Sequence, residues 1–361
     1  MSKFIAAVCA CLLVTAATGA QPAAFPTPVE RDFIATNVRF DSGETASEIR
    51  IRYRTIGAPR RGADGVIRNG VLILHGTGGS GRGFVTEDFA GRLFGRGQTL
   101  DAARYFIILP DNIGHGRSSK PSDGVRMKFP NYRYADMVRL QYRLVTEALG
   151  LTHLRLVMGT SMGAMHSWMW GHMYPGFVDG LVPLASNPVE IAGRNRVWRK
   201  LLVDAIVTDP TWNNGNYTEP PRGLATAMGI LLLATSAPLQ WQKQFPTRDD
   251  ADTWLADQIA SRIKSTDAND MIYQYRASED YDPSAHLTEI TAPLLAINSA
   301  DDFVNPPELP MMRSLIGKVK HGRFVLVPIS DETRGHGTHS LPQVFGPYLA
   351  EFLKQLERTG R

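Results

Sequence analysis

A serine between two glycines is the first feature of this chain that could do chemistry. Gly159, Ser161 and Gly163 form a G-x-S-x-G segment, with the apolar run LRLVM before it and the helix-like run MGAMHSWMWGHMY overlapping its end. Such a tight reversal from strand to helix strains the backbone of the serine, and flanking glycines avoid collisions of Cβ atoms. The pattern predicts that Ser161 is a nucleophile displayed above a sheet. The alternative is a serine that only caps the helix.

A serine hydroxyl reacts when a base removes its proton, and the chain offers acids and histidines after two later apolar runs. Nucleophiles of this kind take first their acid and then their histidine from loops further along the chain. The run PLLAINS is followed by Asp301 and Asp302, and the run RFVLVPIS by His336 and His339. We predict Asp302 and His336 as the partners. Asp301 and His339 are the alternatives, as solvated loop residues or as groups that support the triad.

Two backbone amides could hold the negative charge of a tetrahedral intermediate. The N–H of Met162 would lie at the N-terminus of the helix that follows the serine. The segment HGTGGSGRG after the run VLIL is rich in glycine, so its backbone can approach a ligand closely. Thr77 N–H is the predicted second donor of this oxyanion hole. The segment lacks the end of a phosphate-binding loop, no residue spacing predicts a metal site, and no cofactor is predicted.

The apolar pattern predicts the elements that must position these groups. Two early segments, RDFIATNVRF and EIRIRYRTIG, alternate apolar and polar residues as half-buried strands do. Later runs are apolar throughout, as in strands that are buried on both faces: GVLILHG, YFIILPD, LRLVMGT, GLVPLAS, PLLAINS and RFVLVPI. Helical patterns such as YADMVRLQYRLVTEALG separate them. We predict an α/β fold with a mostly parallel central sheet and helices on both faces.

One interval breaks this alternation. Residues 188–289 contain no strand-like run, but they contain the amphipathic segments VWRKLLVDAIV, GLATAMGILLLAT and ADTWLADQIASRIKS. We predict that this interval is a helical lid, inserted into a core formed by residues 21–187 and 290–361.

Composition and charge exclude several classes of protein. The 361 residues are 43% hydrophobic and 20% charged, as in globular chains, and the net charge is +4. No run of five basic residues occurs, which argues against nucleic acid or an acidic membrane surface as partner. The expected partner is a small acyl substrate.

The first 20 residues, MSKFIAAVCACLLVTAATGA, are typical of a secretory signal peptide, with an apolar stretch too short for a stable membrane span. A buried helix and a lipoprotein anchored at Cys11 are the alternatives. Both cysteines, Cys9 and Cys11, lie in this segment, so the mature chain would have no disulfide. We predict export to the periplasm or the medium.

Further segments resemble the homoserine O-acetyltransferase-like family of the α/β-hydrolase superfamily, from about residue 70 onward. The likeness rests on GTSMGAM, FPNYRYADMVRLQYRLVTEALGLTHLRLV, DPTWNNGNY, PPRGLATAMG and DANDMIYQYRASEDYD. The resemblance implies the α/β-hydrolase fold and an acetyl-enzyme on Ser161 that passes its acetyl group to the homoserine hydroxyl. It also implies a homodimer formed through the lids.

Four positions depart from residues usual in that family. Thr160 stands where the family usually has glycine, and Ala135 stands where it usually has arginine. The family also has an arginine close to the position of Met228, where this chain has none, and it has an aspartate after the histidine, where this chain has Gly337. An amino-acid substrate needs a cation for its carboxylate and an anion for its ammonium group. We therefore predict an exported serine hydrolase of an ester or related acyl substrate, in which water resolves the acyl-enzyme. The alternatives are an O-acyltransferase of the family's type, which uses acetyl-CoA and a hydroxyl acceptor, and a non-catalytic binder.

Overall fold

The computed structural model describes residues 25–358 of the chain, so the predicted signal peptide lies outside the described residues. The strands are β1 (Val29–Arg39), β2 (Thr45–Ile56), β3 (Gly70–Leu74), β4 (Phe106–Pro110), β5 (Leu156–Thr160), β6 (Leu181–Leu184), β7 (Leu294–Ser299) and β8 (Gly322–Val327).

These strands form one sheet in the order β1-β2-β4-β3-β5-β6-β7-β8. Strand β2 pairs antiparallel with β1 and with β4, and the strands from β4 to β8 along the sheet pair parallel. The predicted mostly parallel sheet is confirmed. Because β3, β5, β7 and β8 are parallel, the loops that follow them leave the sheet at the same edge.

Helices connect and cover the strands. They are α1 (Ala90–Leu93), α2 (Tyr134–Arg143), α3 (Met162–Met173), α4 (Gly193–Val207), α5 (Arg222–Ala234), α6 (Pro238–Gln244), α7 (Arg248–Ser265), α8 (Ala268–Arg276), α9 (Met311–Leu315) and α10 (Pro342–Arg358).

Both faces of the sheet are covered, as β3 illustrates. Leu72 and Leu74 belong to a buried apolar cluster that includes residues of α2 and α3. Val71 and Ile73, which point the opposite way, belong to a second cluster with residues of α1 and α10. Burial of each such side chain contributes about 1.5–3 kcal/mol. The apolar runs are therefore continuous because both faces of these strands require apolar side chains.

Five helices, α4 to α8, lie between β6 and β7 in the chain. Leu202 and Ile206 of α4, Leu224 of α5 and Ile272 of α8 form an apolar cluster of their own. Within residues 25–358, no single helix has the length and apolar composition to cross a membrane. Helices α5 and α6 meet that criterion only as a pair, which is bent by 108°.

Candidate active site

Ser161 lies at the turn between β5 and α3, where it is the N-cap residue of the helix with φ of 53° and ψ of −112°. A positive φ is strained for a residue with a side chain. The flanking glycines allow the turn to pack closely. A Cβ at Gly159 would lie 2.0 Å from the carbonyl oxygen of Gly163, and one at Gly163 would lie 2.1 Å from that of Leu74. The turn therefore tolerates no side chain at either position.

Three side chains from distant parts of the chain meet at this turn. The Nε2 atom of His336 lies 2.8 Å from Ser161 Oγ, and its Nδ1 atom lies 2.9 Å from Asp302 Oδ2. With the proton on Nδ1, the imidazole donates to Asp302 and accepts from the serine hydroxyl. This arrangement allows the histidine to remove the hydroxyl proton when the oxygen attacks a carbonyl carbon.

Asp302 is buried, and each of its carboxylate oxygens accepts hydrogen bonds from protein groups. Val304 N donates to Oδ1 at 2.8 Å, while Asn305 Nδ2 donates to Oδ2 at 3.0 Å. Burial opposes ionisation of the carboxyl, but the charge of His336 and these hydrogen bonds outweigh it and lower the pKa of Asp302. The carboxylate therefore stays ionised beneath the imidazole.

The alternative acid and histidine lie nearby but do not contact the serine. Asp301 accepts hydrogen bonds from Ser299 Oγ and from Gly335 N, so it holds the loop that carries His336. The ring of His339 lies 5.0 Å from that of His336, centre to centre. Burial, and next the charge of His336, lower the pKa of His339. The structure thus brings Asp302 and His336, rather than Asp301 and His339, into hydrogen-bond contact around the serine.

The two predicted oxyanion donors flank the serine. Met162 is the first residue of α3, and Thr77 lies in the loop after β3. That loop passes close to the nucleophile, because a Cβ at Gly76 would lie 3.2 Å from Ser161 Cβ. Among the described residues, neither the Met162 nor the Thr77 amide donates to a protein acceptor. Both remain available to an oxygen of a ligand.

Buried polar side chains hold the loop after β3 in place. His75 accepts a hydrogen bond from Asn112 N at 3.0 Å, and Gln141 Nε2 lies 2.6 Å from Asn112 Oδ1 and 3.0 Å from His166 Nδ1. Burial lowers the pKa of both His75 and His166, so both imidazoles are neutral. The histidine at the start of the loop is therefore structural.

A buried ion pair supports the same loop from the other side. Arg54 of β2 lies 2.8 Å from Asp111, which follows β4, and both side chains are almost fully enclosed. Asp111 also accepts a hydrogen bond from Gly81 N at 2.8 Å. Sequence reasoning missed this pair, because the alternation in β2 predicts a solvent-facing side chain at Arg54.

A cavity of about 600 Å³ opens above the serine. Ser161, His336 and Thr77 line it, and helices α4, α5, α7 and α8 complete its wall. The cavity also receives Arg199, a buried residue of α4 that sequence reasoning missed. A signal was present, since Arg199 stands three residues before Leu202 on the apolar face of the helix.

One group of side chains among the described residues could hold a metal ion, and it lies outside this cavity. The ligand atoms of His172, His286 and Glu289 lie within 4.8 Å of one another.

Comparison with known proteins identifies relatives that match most of this chain. A family model for the α/β hydrolase fold matches residues 69–328. The homoserine O-acetyltransferase of Carboxydothermus hydrogenoformans is 31% identical over 313 residues, which are 74% of this chain and 80% of that protein. The homoserine O-acetyltransferase of Trichormus variabilis is 31% identical over 74% of this chain and 79% of its own length.

Solved structures show the same fold. The homoserine O-acetyltransferase from Bacillus anthracis superposes with a TM-score of 0.79 at 22% identity, covering 91% of this chain and 98% of that one. An acetylester hydrolase from Corynebacterium glutamicum gives a TM-score of 0.77 at 21% identity, covering 91% and 95%.

The relatives overturn the prediction of an exported serine hydrolase, because these curated proteins are named homoserine O-acetyltransferase. The first premise of the prediction was the set of four departures from the family, the missing arginine near Met228 among them, but Arg199 and Arg262, from other helices, line the cavity. Its second premise, export, rests on residues outside those described. The resemblance noted in the sequence is confirmed: the chain belongs to the α/β-hydrolase superfamily and, within it, to the homoserine O-acetyltransferase-like family.

Proposed function

We propose that this protein is an O-acyltransferase of the homoserine O-acetyltransferase type, which moves an acetyl group from acetyl-CoA to a hydroxyl acceptor. One observation carries the proposal: the hydrogen-bonded chain from Ser161 through His336 to Asp302 opens into a cavity large enough for an acyl substrate. The names of the curated relatives supply the reaction type.

In the first half of the reaction, Ser161 Oγ attacks the thioester carbonyl while His336 Nε2 takes the hydroxyl proton. The negative charge of the tetrahedral intermediate falls on the former carbonyl oxygen, where the amides of Met162 and Thr77 stabilise it. Collapse breaks the carbon–sulfur bond, and His336 returns the proton to the departing thiolate. Asp302 keeps the imidazole in the required tautomer throughout.

In the second half, the acceptor replaces the thiol and the same groups act in reverse. His336 removes the proton of the acceptor hydroxyl, whose oxygen attacks the acetyl-enzyme. The intermediate collapses with cleavage of the bond to Ser161 Oγ, which recovers its proton from His336. An acceptor held next to the acyl carbon has a high effective concentration, which favours it over water.

The test is to incubate the protein with acetyl-CoA and L-homoserine and to follow both products. Thiol release is measured by a chromogenic disulfide, and O-acetylhomoserine by mass spectrometry. We expect the acceptor to accelerate thiol release, with ester and thiol formed in equal amounts. Ser161→Ala should abolish both, and Ser340→Ala, a serine at the cavity rim, is the matched control.

Thiol release that homoserine and other short hydroxy compounds leave unchanged would contradict the proposal, because water would then be the acceptor. Equal product formation by Ser161→Ala would contradict the assignment of the nucleophile.

A further inference from the structure

We propose that His172, His286 and Glu289 bind a divalent ion of the zinc type, such as Zn²⁺ or Cu²⁺, at a surface site outside the catalytic cavity. The inference goes beyond the proposed function and does not depend on a reaction at Ser161. It rests on three features: the chemistry of the three side chains, the arrangement of their rings and carboxylate, and the two packed segments that carry them.

The three side chains are ligands that a zinc-type ion prefers. Two offer imidazole nitrogens and the third offers a carboxylate oxygen, and these ligand atoms lie within 4.8 Å of one another. Ligand atoms at about 2.0–2.1 Å from one tetrahedral ion are about 3.4 Å apart, so the set needs only to contract slightly. Imidazole favours Zn²⁺, Cu²⁺ or Ni²⁺, whereas Mg²⁺ and Ca²⁺ require oxygen ligands. Three protein ligands leave a fourth position for water.

The hydrogen bond between His286 and Glu289 explains only part of this arrangement. His286 Nδ1 lies 2.8 Å from Glu289 Oε1. The ring of His172 stacks on the ring of His286, with ring centres 4.8 Å apart and planes inclined by 14°. The carboxylate thus has one imidazole as its partner, while the second imidazole lies against the first. A shared cation would join all three groups in one set of bonds.

Two segments that pack directly on each other carry the ligands. His172 lies in the last turn of α3, and His286 caps a single turn of 3₁₀ helix that ends at Glu289 and precedes β7. The next residue, Ile290, is fully buried. A Cβ at Gly171 would lie 3.1 Å from Ile290 Cγ1, so the helix and the turn are in close contact. The backbone positions of the ligands are therefore set before an ion binds, which limits the entropy lost on binding.

The side chains keep enough freedom to close around an ion. Those of His286 and Glu289 are 48% and 52% exposed, and His172 is half-buried. An ion can therefore reach the site from solvent, and the two exposed side chains can rotate toward it. The spacing along the chain does not predict this set, because His172 joins the other two only in the folded protein.

An ion at this site would link two segments that lead to the catalytic groups. Helix α3 begins directly after Ser161, and β7 leads to the loop that carries Asp302. The unfolded chain has no preformed set of these ligands. Binding should therefore stabilise the folded state in proportion to the occupancy of the site.

The first experiment measures binding by calorimetry, with untagged protein in a buffer that does not chelate metals. We expect one Zn²⁺ per chain that depends on these residues, and no comparable binding of Mg²⁺. His172→Ala and Glu289→Gln should each weaken Zn²⁺ binding by about tenfold or more. His153→Ala is the matched control and should leave the affinity unchanged. His153 also lies 2.9 Å from a carboxylate, that of Asp179, but it belongs to no group of three ligands within the described chain.

The second experiment identifies the ligands and measures the effect on the fold. With Cu²⁺ in place of Zn²⁺, electron paramagnetic resonance counts the bound imidazole nitrogens. We expect two in the native protein and in His153→Ala, but one in His172→Ala. The Tm of the native protein should rise by about 3–5 °C at a Zn²⁺ concentration 100 times its Kd, and His172→Ala should show about half of that rise or less at the same concentration. Circular dichroism verifies that each variant is folded.

Unchanged Zn²⁺ affinity in folded His172→Ala or Glu289→Gln would overturn the site, as would a native protein that binds no Zn²⁺ up to about 1 mM. Mg²⁺ bound as tightly as Zn²⁺ would overturn the assigned class of ion. These results are independent of acetyl transfer. A protein that binds Zn²⁺ through His172 but transfers no acetyl group keeps the metal site and rejects the transferase, and a transferase without Zn²⁺ binding does the reverse.

Discussion

Replacement of Asp302 by asparagine should reverse the hydrogen bond that orients His336. In the native site the carboxylate accepts the Nδ1 proton, which leaves Nε2 free to accept from the serine hydroxyl. Val304 N donates to Oδ1 at 2.8 Å. In Asp302→Asn the amide oxygen keeps that backbone donor, so the amide nitrogen takes the Oδ2 position, where it faces the imidazole and displaces the hydrogen bond from Asn305 Nδ2. An imidazole that accepts at Nδ1 carries its proton on Nε2 and cannot act as a base toward Ser161.

The expected loss follows from this change of tautomer. A triad whose histidine is held in the wrong tautomer loses about 10⁴-fold in kcat in serine proteases. That factor corresponds to about 5 kcal/mol of transition-state stabilisation. The asparagine has nearly the same volume as Asp302 and retains the bond from Val304, so we expect a folded protein.

The assay is the rate of thiol release from acetyl-CoA in the presence of an acceptor, together with labelling of Ser161 by a fluorophosphonate. Asp301→Asn is the matched control, since Asp301 holds Gly335 rather than the imidazole, and we expect a loss below about tenfold for it. A folded Asp302→Asn protein with activity within tenfold of the native protein would refute the reasoning. A larger loss in Asp301→Asn than in Asp302→Asn would refute the choice of acid.

Three further outcomes follow from packing and charge. Gly163→Ala would place a Cβ 2.1 Å from the last carbonyl oxygen of β3, so unfolding by urea should show a loss of about 1–3 kcal/mol or more. The control Gly229→Ala has open space and should be stabilised by about 0.5–1 kcal/mol. Asp111→Ala should lose up to about 3–5 kcal/mol in the same assay, because it removes the buried acid of Arg54 and leaves the guanidinium with only the partly exposed Glu30, 2.7 Å away. Burial raises the pKa of Asp270 to about 6, so the folded protein keeps a proton that the unfolded chain has already lost. The contribution of Asp270 to the free energy of unfolding should therefore fall, by roughly 2–3 kcal/mol, as the pH rises from about 4 to about 6. Asp270→Asn should lack this fall, and identical pH profiles would contradict the assigned burial.

Strands β3 to β7 could be predicted because they are buried at every position. The run GVLILHG becomes β3 and the run YFIILPD becomes β4 without any need to know their partners. Arg54 could not be placed in the same way. The period of β2 assigns it to the solvent side, but Asp111, 57 residues later, encloses it. Local periodicity has no information about such a distant charge.

The candidate active site likewise has a part that the sequence predicts and a part that depends on tertiary packing. The order of the loops brings Ser161, Asp302 and His336 together, and that order can be read from the sequence. The wall of the cavity above the serine depends on how α4, α5, α7 and α8 pack over the sheet. Trp198 and Arg199 reach the cavity through the tertiary arrangement of those helices, which hydrophobic spacing alone does not determine.

The strained backbone of Ser161 makes the reactivity of its hydroxyl a probe of the folded state. Its φ of 53° is a conformation that a free serine peptide rarely visits, so the packed sheet and the helix must impose it. When either loosens, the hydroxyl loses both its position in the cavity and its base. The fraction of protein that is covalently labelled at Ser161 Oγ should therefore equal the fraction with an intact turn. During heating, this labelled fraction should decrease when the turn first opens, before the whole chain unfolds.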